Sequence, residues 1–368
     1  CLVIVQSVVN WLIIIMAGFL ALFTFLLLAL HFTSAAQGRR IRKMREQLLC
    51  LISEEASAGR IRGKLYDMVD PEGETDSISD IAGIRSLRGL QVISETADEL
   101  GGVEKQVLAR EVGGEWYGRF LKKQFAGGGV DAIILVIKLV GTLDLRQYVP
   151  DVITQIYCYR ATTQMQHIGM LSLCLLGAEK ELIAICRDST VASLLSFRTL
   201  EELFATYTGD REKLCRVLIN TAADQYIRRT CIKTIGEQGY IDLAPMAEPY
   251  LESDQVNARI DAIRTFGQLK YAPALERVRA FAADERWEIR VVVATALGRY
   301  GAEENFEPLI ALLCDREWWV RYRAAESLAE HPDEKALLAR VEETGDRYAR
   351  EMMRFALDKR ALAAGEAA

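Results

Sequence analysis

The chain has 368 residues, 51% of them apolar and 26% charged, with 26 Gly and 7 Pro. That composition excludes collagen-like, disordered and disulfide-scaffold classes and leaves room for two or three domains or one elongated repeat array. Eight cysteines with no Cys-x-x-Cys pair and three scattered histidines (His31, His167, His331) offer little for a zinc site, and a net charge of −6 argues against nucleic-acid binding by bulk electrostatics.

No acidic or basic residue precedes Arg39, and Leu12 to Leu30 reads LIIIMAGFLALFTFLLLAL, with Thr24 its one polar side chain. About twenty apolar residues span a bilayer core. Thirteen of these nineteen are Leu, Ile or Phe, which favours insertion by roughly 5 kcal/mol. Trp11 and His31 mark the two interfaces. Residues 1–33 are therefore expected to be a transmembrane anchor. The rival reading is a cleaved signal peptide, with Ser34-Ala35-Ala36 as a small-x-small cleavage site.

Arg39, Arg40, Arg42, Lys43 and Arg45 follow directly. The positive-inside bias then places the body in the cytoplasm, as a single-pass inner-membrane protein with its N-terminus outside. From Arg39 to Lys64 the chain carries +5 against −6 overall, leaving −11 for the rest. Such a collar reads as a contact with anionic lipid headgroups, or simply as a topology signal.

Residues 34–69 read as a basic juxtamembrane helix, with Ile41, Met44, Leu48, Leu49 and Ile52 near a 3.6-residue period from Gln37 to Ser57. Residues 70–129 read as a helical neck. It opens on the acidic loop Asp70 to Asp76, and its two or three helices are broken at Gly101-Gly102 and Gly113-Gly114. After Gly127-Gly128-Gly129, Val130 to Ile137 reads as a strand or a buried helix. None of these glycine clusters has the spacing of a phosphate loop.

The strongest signal is a 31-residue repeat. Asp284 to Gly298 aligns with Asp315 to Ala329: Trp287 meets Trp318, Arg290 meets Arg321, Ala294 meets Ala325 and Leu297 meets Leu328. One step back gives Arg259, Ile263, Phe266 and Gly267; another gives Arg228, Ile232, Ile235 and Gly236, with looser copies ending near Gly209, Gly177 and Gly141. A unit of two short helices cannot bury its apolar face alone, so neighbours stack into a solenoid over 130–368, clearest over 222–345.

These residues carry a resemblance. The pattern Asp-x-x-Trp-x-(Val/Ile)-Arg-x-x-(Ala/Val)-Ala-x-x-Leu-Gly resembles bacterial HEAT repeats of the short kind also found in phycobilisome lyases. The resemblance implies an all-α superhelix used for protein–protein contact, with no common active site or cofactor. Membrane-tethered bacterial proteins of this build are often encoded beside glycosyltransferases for surface polysaccharides. The partner is accordingly expected to be a membrane-associated protein, a glycosyltransferase for exopolysaccharide or another envelope-biogenesis component, and not nucleic acid.

Two constellations stand out. The ladder Arg228, Arg259, Arg290 and Arg321, with Asp254, Asp284 and Asp315 five or six residues before three of its rungs, is expected to be structural. Each arginine would pair with an aspartate of its own or the adjacent repeat; a phosphate-binding stripe is the alternative. Trp287 and Trp318 share a repeat position and are expected to pack between repeats. Trp319 falls where sister repeats carry Glu288 and Asn257. The resemblance implies that second helices line the concave side. Trp319, Arg323, Glu326, Tyr226, Arg264 and Arg299 would then share a mixed-charge groove, the composition of a protein-binding surface. No catalytic, cofactor or metal residue is assigned. His167 and the helical cysteines Cys158, Cys174, Cys186, Cys215 and Cys231 sit among apolar neighbours. The function expected is a membrane-tethered scaffold and not an enzyme. The alternatives are a lyase-type chaperone, as in some relatives of these repeats, and a HEAT-like DNA-repair enzyme, which would need a basic concave face.

Overall fold

The computed structural model describes residues 38–57, 81, 83–192 and 195–366. The Leu12 to Leu30 segment and the acidic stretch 70–76 lie outside the described residues. Among the described residues every regular element is a helix, and no helix is long and apolar enough to cross a membrane. The chain divides into two compact units, one ending at Ser172 and the other starting at Leu173.

The first unit holds α1 (38–57), α2 (Leu87–Glu99), α3 (Gly102–Gly113), α4 (Glu115–Gly127), α5 (Val130–Thr142), α6 (Val149–Tyr157) and most of α7 (Thr163–Leu175). Helix α1 buries Met44, Leu48, Leu51, Ile52 and Ala56, while Leu49, expected on that face, is exposed. The buried set advances by three or four residues per turn, and Leu49 falls beside it rather than on it. Arg39, Arg40, Arg42 and Lys43 are exposed on α1, and Arg45 pairs with Glu99. The glycine pairs fall at helix ends: Gly101 caps α3 and Gly114 separates α3 from α4.

The Val130 run is helix α5. It buries Val136, Ile137, Leu139 and Val140 and packs on α2 and α4. The sequence draws a boundary at 129/130, and the division into compact units falls between Ser172 and Leu173, with α5 in the first. Gly141 permits the close approach of α7 here, since a Cβ would lie 2.6 Å from Ser172 Cα, and Ser172 Oγ donates to the Ile137 carbonyl at 2.6 Å.

The second unit continues with α8 (Glu179–Arg187), α9 (Ser189–Ala192), α10 (Phe197–Thr206), α11 (Arg211–Thr221), α12 (Gln225–Gln238), α13 (Ala244–Ala247), α14 (Val256–Leu269), α15 (Leu275–Ala280), α16 (Trp287–Tyr300), α17 (Phe306–Leu313), α18 (Trp318–Leu328), α19 (Glu334–Glu343) and α20 (Arg347–Glu366). These form helix pairs at the 31-residue spacing, and the second helices α10, α12, α14, α16, α18 and α20 pack side by side. First helices α13 and α15 are short and flanked by 3₁₀ turns.

One buried stripe recurs along the second helices: Ile232 and Ile235 on α12, Ile263 and Phe266 on α14, Ala294 and Leu297 on α16, Ala325 and Leu328 on α18. Small residues set the spacing between neighbours. A Cβ on Gly267 would lie 2.7 Å from Ala296 Cα, and one on Gly298 would lie 2.3 Å from Ser327 Oγ. Thr265 and Ser327 donate from this seam to carbonyls one repeat earlier, Ile232 at 2.8 Å and Ala294 at 2.9 Å.

Candidate functional site

The arginine ladder follows a rule that its sequence does not state. Nη1 of Arg228 donates to the Ala222 carbonyl (2.7 Å), of Arg259 to Ser253 (3.0 Å), of Arg290 to Asp284 (2.8 Å) and of Arg321 to Asp315 (2.7 Å). Every rung thus reaches back six residues to a main-chain oxygen left free by the turn before its helix. The aspartate carboxylates are otherwise engaged: Asp284 accepts from the Arg286 amide and Asp315 from the Glu317 amide, both at 2.8 Å. Asp254 is exposed.

One rung also forms a two-point ion pair across repeats. Arg290 Nε and Nη2 donate to the Asp315 carboxylate at 2.6 and 2.8 Å, both side chains nearly buried. Burial pushes the Asp315 carboxyl up, but the bonds from Arg290 and the Glu317 amide outweigh it and hold the group below its ordinary value. Of the Arg–Asp pairing expected on every rung, the described residues show it at Arg290, while the contact all four rungs share is to the main-chain carbonyl.

Trp287 and Trp318 are 38% and 46% exposed, against the expectation of packing between repeats. Each is the first residue of its helix, where the side chain projects past the packed layer. Trp318 instead stacks on Tyr322, with ring centres 5.1 Å apart and planes 7° from parallel.

Trp319 is 52% exposed and stands edge-on to both Trp318 and Tyr322. Phe355 of α20, also exposed, lies 6.3 Å from Tyr322. Tyr322 donates to Glu326 at 2.6 Å, and Lys359 Nζ donates to both at 2.7 Å. The result is a four-ring aromatic surface fixed by a lysine–glutamate–tyrosine contact. Phe355 and Lys359 escape sequence reasoning because α20 departs from the repeat consensus: Asp346 keeps the aspartate position and caps the helix, while Met352 replaces the arginine.

The remaining groove residues divide. Arg264, Arg299 and Arg323 line one pocket of about 270 Å³ with Val291, Val292, Thr295 and Ala296. Tyr226 lies apart, on α12, beside Phe197 and Arg229. Asp261, on the same stripe as Arg264, is buried against Arg229 at 2.7 Å; burial outweighs the arginine and raises its pKa. Glu326 is held below its ordinary value: burial raises it, and the donors Lys359, Tyr322 and Arg323 overcome that.

His167 is half-buried, with Nε2 free of any hydrogen bond in the structure. Burial raises the thiols of Cys174 and Cys231 and pushes that of Cys186 up to about 12, so these cysteines stay protonated. Among the described residues no group of three or more His, Cys, Asp or Glu side chains is placed to hold a metal ion.

Residues 275–358 match a family model described as HEAT repeats. Among solved structures the chain is similar to the CpcE–CpcF complex of the phycocyanin lyase from a Nostoc species. The identity is 16%, over 79% of this chain and 98% of that one, with a TM-score of 0.27. No curated protein sequence matches the chain. The matched residues run from α15 into α20, the C-terminal end of the stacked helix pairs.

Proposed function

We propose that the protein is a scaffold that docks a partner protein on the second-helix face of its C-terminal repeats. One observation carries this reading: the exposed rings of Trp318, Trp319 and Phe355 surround the half-buried Tyr322 in one aromatic surface across α18 and α20. Exposed aromatic clusters gain little in water, but a desolvated Trp at an interface contributes about 2 kcal/mol or more. The rings are held by their own contacts before any partner arrives, which lowers the ordering cost of binding. In this reading the chain performs no chemistry of its own.

The same proposal places the scaffold at the cytoplasmic face of the bacterial inner membrane. The apolar run Leu12 to Leu30 supports an anchor, and Arg39, Arg40, Arg42 and Lys43, exposed on α1, support contact with anionic headgroups. A tether raises the local concentration of the docking face around membrane partners. An envelope-biogenesis glycosyltransferase is the partner class that fits this placement. No observation favours a lyase-type chaperone over it.

Site-specific photo-crosslinking in cells tests the reading. A crosslinker at Trp319 or Phe355 is expected to trap one discrete protein adduct, and one at Ala311, exposed on the first-helix side, to trap none. Equal adducts at all three positions, or none at Trp319, would contradict it.

A further inference from the structure

The pocket lined by Arg264, Arg299 and Arg323 collects its guanidinium groups in a way the repeat does not impose. At a 31-residue spacing, the position of Arg264 is filled by Lys233, Thr295 and Glu326, that of Arg299 by Glu237, Gln268 and Glu330, and that of Arg323 by Thr230, Asp261 and Val292. The three arginines therefore come from three different register positions on α14, α16 and α18, yet line one pocket over α16.

Arg264 and Arg323 are ion-paired, each to a carboxylate that also holds another cation. Asp261, 3.6 Å from Arg264, already holds Arg229 at 2.7 Å. Glu326, 2.7 Å from Arg323, also takes Lys359 at 2.7 Å. Arg299 is exposed and makes no ion pair among the described residues. Asp261 and Glu326 are thus each shared between two cations, and the pocket lining itself holds three arginines and no carboxylate over an apolar floor of Val292 and Ala296.

We infer that this pocket binds carboxylates of an acidic segment on the docked partner protein. The inference rests on the scaffold reading and names the chemistry of its partner. Planar guanidinium groups match carboxylates in two-point contacts. At about 270 Å³ the pocket falls below the range usual for drug-sized ligands, about 300–1,000 Å³, and suits one or two side chains. The positive region is also short. Glu237, Glu288 and Glu330 occupy positions of the same second-helix stripe, so this stripe is not a continuous basic track for a nucleic-acid backbone. Arg323 lies one helical turn from Trp319, so an acidic residue next to an apolar one could engage both.

The test uses the full chain in neutral detergent and fluorescence anisotropy of a labelled glutamate hexamer. Wild type is expected to bind it at low ionic strength and more weakly as salt rises. Arg299→Gln and Arg323→Gln should each weaken binding about tenfold or more, the cost of one charged hydrogen bond, with melting unchanged. Arg216→Gln, exposed on α11, should bind as wild type does. Equal binding by wild type and Arg299→Gln would overturn the inference, as would arginine-dependent binding of a labelled oligothymidine as tight as that of the hexamer. If Trp319 still traps its protein adduct when the hexamer fails, the pocket assignment falls alone. If the hexamer binds and the adduct is lost, the docking reading falls instead.

Discussion

Each ladder arginine closes a turn by donating to the carbonyl six residues back, and Arg290 alone adds a two-point pair to Asp315 in the next repeat. With both partners nearly buried, Arg290→Ala strands a carboxylate and is expected to cost about 3 kcal/mol. Arg299→Ala, exposed, should cost less than about 0.5 kcal/mol. Urea titrations of both variants check the difference. The pair also sets a pH dependence. The folded Asp315 pKa is depressed, so its contribution is present above the ordinary carboxylate pKa and is lost as pH falls through the folded value. Asp315→Asn should therefore lose less stability than wild type between pH 7 and pH values near or below the ordinary carboxylate pKa of about 3.9. Parallel losses would show that the pair does not titrate with unfolding.

At the scale of helices, the 31-residue register predicted which side chains line the seam between second helices, and Ala294, Leu297, Ala325 and Leu328 are buried there. Helix existence was legible because apolar period and small residues agree across levels. The fate of the first helical residue was not. Trp287 and Trp318 occupy a repeat position that sequence assigns to packing, but a side chain at a helix start is placed by the turn before it, which periodicity does not encode. The tri-arginine pocket was legible in part: the sequence places Arg264, Arg299 and Arg323 on one groove face, but they belong to different register positions, and their meeting at one pocket shows only once α14, α16 and α18 are laid side by side. Close approach along the seam has a sharp consequence. Gly267→Ala raises helix propensity by about 1 kcal/mol, but its Cβ would sit 2.7 Å from Ala296 Cα and Cβ. Overpacking should win, with a net loss of about 1–3 kcal/mol in urea unfolding. A stability equal to wild type would mean that α14 and α16 separate without cost.

For the whole molecule, charge is divided along the chain, with +5 between Arg39 and Lys64 against −6 overall. In the proposed placement the basic segment holds the membrane side and the acidic body stays in the cytoplasm. A reporter active only outside the cytoplasm, fused after Lys64, should stay silent, while the same reporter behind a known export signal is active. Activity of the Lys64 fusion would overturn the cytoplasmic placement and favour a cleaved leader.

The scaffold reading turns on Trp319, half-exposed, edge-on to Trp318 and Tyr322, and one turn from Arg323. Its most direct measurement is the affinity of the protein trapped at Trp319 for wild-type chain and for Trp319→Ala, with melting temperatures recorded alongside. A loss of about thirtyfold, equivalent to about 2 kcal/mol, with an unchanged melting temperature is the expected result. Binding equal to wild type, or a variant that no longer folds, would contradict the assignment of this aromatic surface to docking.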